Sequence, residues 1–145
     1  MNETHHIRPT PSEGNPSLQD AIGQVLARHP SIVIAILFGS LAAGHSRNDS
    51  DLDLAVASTI SLSPEIRVQL IEELAMAFGR PVDLIDLAQA HGPLLQQIVT
   101  KGRLLICTDR TRYADLLLQV VYEEADMMPY YRRILAERRQ AWIGT

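Results

Sequence analysis

The sequence predicts an α/β fold, a four-stranded sheet with helices packed on it and a C-terminal helical extension. Four short apolar segments, at about 32–38, 52–56, 81–87 and 104–107, have the length and residue types of strands. Stretches of helical period separate them, and the chain from about Arg110 to Trp142 reads as helix. With 145 residues there is room for one core and not for two full domains. Hydrophobic residues at 46% and charged residues at 21% exclude a disordered or collagen-like chain.

Residues 1–16 carry three prolines and little apolar material, so they are expected to form a flexible tail, with His5 and His6 solvated. From Ser17, Leu18, Ala21, Ile22, Val25 and Leu26 recur at helical spacing and stop before Pro30. Ile32–Phe38 is a β-branched run too continuous to alternate, which predicts a strand covered on both faces. Leu52, Leu54 and Val56 alternate with Asp51, Asp53 and Ala55, giving a second strand with one apolar face and one that carries carboxylates. Ser63-Pro64 has the residue types of an N-cap and a first helical position, and the helix it opens runs through Ile66, Leu70, Leu74 and Met76 or Ala77 to Gly79. Pro81–Leu87 is the third strand, with Asp83 and Ile85 on one side and Val82, Leu84 and Asp86 on the other; Asp86 is expected to cap the following turn. A helix from Pro93 to Lys101 stops at Gly102, and 104–107 is the fourth strand. In the last helix Tyr113, Leu117, Val120, Val121, Met127, Met128, Tyr131, Leu135 and Trp142 lie close to one stripe, with a kink or fresh start expected at Pro129.

Net charge is −4, which argues against a surface built to hold nucleic acid, so no direct nucleic-acid binding is expected. The longest apolar run is too short to span a bilayer and no signal-peptide pattern opens the chain; the expected location is the cytoplasm, and no membrane partner is expected. The one cysteine, Cys107, fits a reducing compartment and reads as a small buried side chain. Lys101, the one lysine, sits in no Schiff-base or Walker motif.

The chemistry is concentrated in Gly39-Ser40, ten further residues, then Asp51-Leu52-Asp53. A glycine after a strand lets backbone approach a ligand, and the serine offers hydroxyl and amide to phosphate oxygens. Two aspartates two apart on a strand point the same way and repel unless a divalent cation lies between them; hard oxygen donors favour magnesium or manganese carrying a nucleoside triphosphate. If the third strand pairs beside the second, Asp83 joins the cluster, with the task of binding a metal and deprotonating an attacking hydroxyl. His45 reads as an exposed loop histidine, and His29 and His91 have no partner nameable from sequence.

These residues resemble the signature of the DNA polymerase β nucleotidyltransferase superfamily, and the small size resembles its minimal nucleotidyltransferase branch. The resemblance covers about residues 20–107, includes Arg47-Asn48-Asp49-Ser50, and lacks at Leu41-Ala42-Ala43 the arginine or tyrosine often found after the serine. It implies a nucleotidyltransferase domain at 17–108, a four-stranded mixed sheet with helices on one side, two Mg2+ ions and ATP as substrate. By position, Gly39 and Ser40 bind nucleotide, Asp51 and Asp53 hold both metals, and Asp83 holds the catalytic one. It also implies an antitoxin that transfers AMP to a tyrosine hydroxyl of a HEPN-domain ribonuclease toxin. The alternatives are a binding-only antitoxin with a vestigial nucleotide site, or a small-molecule nucleotidyltransferase. The segment 109–145, apolar along one stripe and rich in arginine at its end, is expected to pack on the domain or on that partner.

Overall fold

The strand Ile32–Phe38, β1, is buried at every position, because it is an inner strand with helices against both of its faces. The computed structural model describes residues 18–39 and 51–143; the expected tail lies outside the described residues. Before β1 comes the helix α1 (Leu18–Leu26), and after it β2 (Leu52–Ser58), α2 (Pro64–Phe78), β3 (Val82–Asp86), α3 (Gly92–Lys101), β4 (Arg103–Cys107) and α4 (Arg110–Ile143). The sheet order is β3-β2-β1-β4, with β1 antiparallel to β2 and β4 and β2 parallel to β3, so the sheet is mixed as expected.

Strand alternation divides the core in two. Ala35 and Leu37 of β1, with Leu52, Leu54, Val56 and Leu84, pack against Ile22, Val25 and Leu26 of α1 and Leu70 and Leu74 of α2. Ile34, Ile36 and Phe38, with Ala55 and Ala57, pack against Leu95 and Ile98 of α3 and Leu116 and Val120 of α4. Helices therefore cover both faces, as the apolar run of β1 predicts and in place of the one-sided arrangement that the resemblance implied. A strand apolar at all seven positions leaves an exposed face unless both sides are covered. Removing any of these large buried side chains costs about 2–5 kcal/mol.

The capping residues set the helix ends. Ser63 Oγ accepts from the Ile66 N–H at 3.2 Å, Pro64 follows as a first helical residue, and Gly79 closes α2 at φ 63° with its N–H donating to Ala75 at 2.7 Å. Within α2 the buried face passes through Leu70 and Leu74 with Ile71 and Phe78 beside them, while Met76 and Ala77 are exposed, contrary to expectation. His91 precedes α3 without a side-chain cap. A carboxylate from another helix takes that place: Glu123 Oε2 of α4 accepts the Gly92 N–H at 2.7 Å. Two guanidinium groups hold strand carbonyls, Arg67 of α2 on Leu84 at 2.6 Å and Arg112 of α4 on Ser58.

α4 is one helix from 110 to 143, with no fresh start at Pro129. Its inward side is Tyr113, Leu116 and Val120, whereas Leu117 and Val121, expected on the same stripe as Tyr113 and Val120, are 41% and 59% exposed. In the run Leu116-Leu117-Leu118 every phase is apolar, so periodicity alone does not choose the leucine that meets the sheet. The remainder of the expected stripe, Met127 to Trp142, lies outside the residues whose side chains are described.

Candidate active site

The site is built where β1 ends and β2 and β3 begin. Phe38, the last residue of β1, is in register with Asp53 of β2, and Asp53 is in register with Asp83 of β3. Register partners project to the same face, so Asp53 and Asp83 stand beside each other on the side of the sheet that carries Phe38, Ala55 and Ala57. Farther along the strands α3 and α4 cover this face; at this end Asp83 is exposed and Asp53 half-buried. Asp51 stands one residue before β2 and is exposed, and the Leu52 N–H donates to the Pro81 carbonyl at 2.9 Å, tying the entrances of β2 and β3 together.

Gly39 leaves β1 at φ 74°, a conformation that L side chains rarely adopt. A Cβ built there lies against Asp53, 3.0 Å from its Cγ and closer still to Oδ2. The glycine is thus required twice, by its backbone angle and by the carboxylate packed on it. Ser40 lies outside the described residues, as do His45 and the segment 41–50 that joins Gly39 to Asp51.

The electrostatics bear on the use of the acids. Asp53 is pushed above the ordinary aspartate value, first by burial and then by the negative charges of Asp83 and Asp51. Such a cluster is charged and under-solvated, a state that a cation relieves. Among the described residues no three His, Cys, Asp or Glu side chains form a ready-made metal cage. The donor set still fits magnesium, which takes hard oxygens in octahedral geometry and is usually held by one or two carboxylates with waters and substrate phosphates supplying the rest. The aspartates would hold the ions, and a triphosphate would complete the coordination.

Other titratable groups stand apart. Asp86 Oδ1 accepts the Ala88 N–H at 2.9 Å, the turn-capping role expected of it. His29 Nε2 and Glu73 Oε2 lie 2.9 Å apart, joining the α1–β1 turn to α2. Hydrogen bonds from His29 and then Gln69 hold the Glu73 carboxyl below its ordinary value. Cys107 is half-buried, its thiol donating to the Asp109 carbonyl at 3.6 Å, and Lys101 is exposed at the end of α3. Among the described residues no helix is long and apolar enough to cross a membrane. Sequence reasoning missed the Arg67 and Glu123 contacts, for which a one-dimensional pattern carries no signal: each pairs a side chain with backbone of a distant element.

Comparison with known proteins places this geometry. The family model described as polymerase beta, nucleotidyltransferase, matches residues 20–111. The curated protein adenylyltransferase MntA of Shewanella oneidensis is 40% identical over 76 residues, which cover 52% of this chain and 55% of that protein. The aligned stretch thus spans little more than half of that relative. A chain from a crystal structure of a toxin-antitoxin with AMP-PNP is 35% identical, with a TM-score of 0.61, over 87% of this chain and 95% of that one. A chain from the structure of a tri-AMPylated Shewanella oneidensis HEPN toxin in complex with MNT antitoxin is 32% identical, with a TM-score of 0.56, over 88% and 93%.

Proposed function

The chain belongs to the polymerase beta nucleotidyltransferase family, and from that premise we propose that it is a magnesium-dependent protein adenylyltransferase, the antitoxin of a HEPN/MNT pair. In this reading it transfers AMP from ATP to a tyrosine hydroxyl of its HEPN ribonuclease toxin. The observation that carries the chemistry is the register pairing of Asp53 with Asp83 beside the positive-φ Gly39. The likeness over nearly the whole length of a chain from a toxin-antitoxin structure with AMP-PNP, and of one from a complex holding a tri-AMPylated HEPN toxin, supports the substrate and the partner.

Each residue has a task. Gly39 brings backbone close to the triphosphate, and Ser40 follows it with a hydroxyl and an amide for phosphate oxygens. Asp51 and Asp53 would hold the two cations and Asp83 the catalytic one. Magnesium, when bound, supplies the positive charge that offsets the triphosphate and the attacking oxygen. Asp83, exposed at the mouth, takes the proton of the acceptor hydroxyl as its oxygen bonds to the α-phosphorus and pyrophosphate leaves. In this reading the acceptor arrives on a macromolecule, which the likeness to a chain from a complex holding a tri-AMPylated HEPN toxin supports. The docking surface we assign to the C-terminal segment begins in the described part of α4, where Leu117, Leu118, Val121 and Tyr122 are exposed and Arg133 and Arg138 follow.

The test is transfer of label from α-labelled ATP to the purified HEPN partner with magnesium. Covalent label on the toxin is the expected result, lost in Asp51→Asn and Asp53→Asn. Asp83→Asn should still bind nucleotide while turnover falls by about 10²–10⁴, the usual worth of a general base. Stable association without label would leave a binding-only antitoxin and sink the enzymatic reading.

A further inference from the structure

Asp83 sits on a five-residue strand at the border of the sheet, paired among the described residues on one side only, yet its task requires a fixed height beside Asp53. The ladder to β2 is pinned at both ends, by Leu52 N–H on the Pro81 carbonyl at 2.9 Å and by Leu87 N–H on the Val56 carbonyl at 2.8 Å. In a parallel ladder alternate residues turn their backbone groups to the neighbour. Asp83 shares the parity of Pro81 and Leu87, so its amide and carbonyl face β2, and those of Leu84 face the open border. Arg67 meets that outward carbonyl, Nη2 donating to Leu84 O at 2.6 Å. The arginine is itself firmly placed. It lies in the first turn of α2, its own N–H donating to the Ser63 carbonyl at 3.0 Å just after the Ser63 cap, and α2 is seated on the sheet by the fully buried Leu70 and Leu74.

We infer that Arg67 is a positioning residue for Asp83: by holding the Leu84 carbonyl from outside the sheet, it keeps β3 at the height at which the Asp83 carboxylate meets Asp53. The inference rests on the reading of Asp83 as base and metal ligand given above. Arg67 belongs to the opposite face from the acids, since α2 packs on the side of Leu54 and Leu84 while Asp53 and Asp83 share the side of Ala55. It acts through the backbone and touches neither nucleotide nor acceptor. A charge-assisted hydrogen bond to a carbonyl is among the stronger single ties a side chain offers, and small shifts of a reacting group are costly to rate.

The full-length chain with Arg67→Met keeps the aliphatic stem and loses the donors, whereas Arg67→Lys keeps one. Three measurements apply: Mn2+ affinity by electron paramagnetic resonance, kcat and KM for AMP transfer, and amide hydrogen exchange at Asp83 and Ile85. Arg67→Met should weaken Mn2+ and lower kcat each by about 10- to 100-fold, as supporting contacts around metal ligands do, with KM for ATP within about twofold. Arg67→Lys should recover most of both, and exchange at Asp83 and Ile85 should quicken in the methionine variant. Unchanged Mn2+ affinity and kcat in folded Arg67→Met overturns the inference, as does a lysine variant no better than methionine. If the wild-type chain neither binds Mn2+ nor transfers AMP, the proposed function fails and the exchange rates alone decide: quickened exchange supports the tie and unchanged exchange overturns it. Should Arg67→Met not fold, Arg67→Gln, too short to reach the carbonyl, serves in its place under the same criteria.

Discussion

The Cα of Asp53 is the register partner of the Cα of Asp83 across the parallel β2–β3 ladder, so two carboxylates leave the sheet at one height and on one face. Neighbouring strands are about 4.8 Å apart, a spacing at which like charges are felt unless something of opposite sign intervenes.

Asp53→Asn should stabilise the metal-free protein at neutral pH. Burial and the Asp83 and Asp51 charges raise the folded-state pKa of Asp53 above 3.8, so between the unfolded and folded values the native state holds the extra proton. Its contribution is most favourable below the unfolded value and declines as pH rises through the folded one. Calorimetry from pH 3 to 7 should show a melting temperature a few degrees above wild type at pH 7 and a gain that vanishes in acid. A variant that melts lower at pH 7 contradicts the repulsion.

Gly39→Ala should cost about 1–2 kcal/mol from the left-handed backbone alone, and more from the Cβ driven against Asp53. Because the displaced group is itself a metal ligand in our reading, nucleotide-dependent Mn2+ binding should fall further than stability does. Denaturant titration beside Mn2+ binding measures both; wild-type stability and binding would show that the close approach is not required.

Glu123→Gln should remove an acid-dependent share of stability. Hydrogen bonds from Gln119 and from the Gly92 N–H lower the Glu123 pKa below 4.5, so its contribution is present above 4.5 and is lost as pH falls through the lowered folded value. Glutamine retains an oxygen but no charge for the positive end of α3. Wild type and variant should differ at pH 7 and converge near pH 3. Parallel curves across that range would contradict the assignment.

Removing 129–145 should weaken association with the toxin more than binding of magnesium-ATP. The described core contacts of α4 end at Val120, whereas a 34-residue helix runs about 50 Å. The lost affinity should be salt-sensitive, because Arg132, Arg133, Arg138 and Arg139 lie in or beside the removed stretch of apolar residues. If calorimetry shows ATP binding and melting collapse while the toxin still binds, the segment is core.

The legible parts of this chain are those with local causes. β1 reads as doubly covered because seven consecutive apolar residues admit little else, and α2 begins at Pro64 because Ser63 supplies its cap. The placement of Asp53 beside Asp83 needed one further condition, that β3 pair with β2, which the structure meets. The phase of α4 was not legible, since Leu116, Leu117 and Leu118 are equally apolar and only the small Ala55 and Ala57 with Leu95 and Ile98 decide which is buried. Met76 was misread for a related reason: helical spacing says which residues share a face, and not how far the sheet beneath them extends. Arg67 and Glu123 were silent because charged side chains that serve backbone groups 17 and 31 residues away look, in one dimension, like ordinary solvated charges.

The Glu123 contact gives the C-terminal helix a mechanical meaning. Its carboxylate grips the first amide of α3, one turn beyond Val120, where the described core contacts of α4 stop. A load applied to the outer length of α4 therefore reaches the body of the protein at the start of α3, and α3 runs directly into β4, the strand beside β1. The two helices are joined by a hydrogen bond beyond Val120, so bending the outer length of α4 away from the sheet strains that bond before the strain reaches the buried residues.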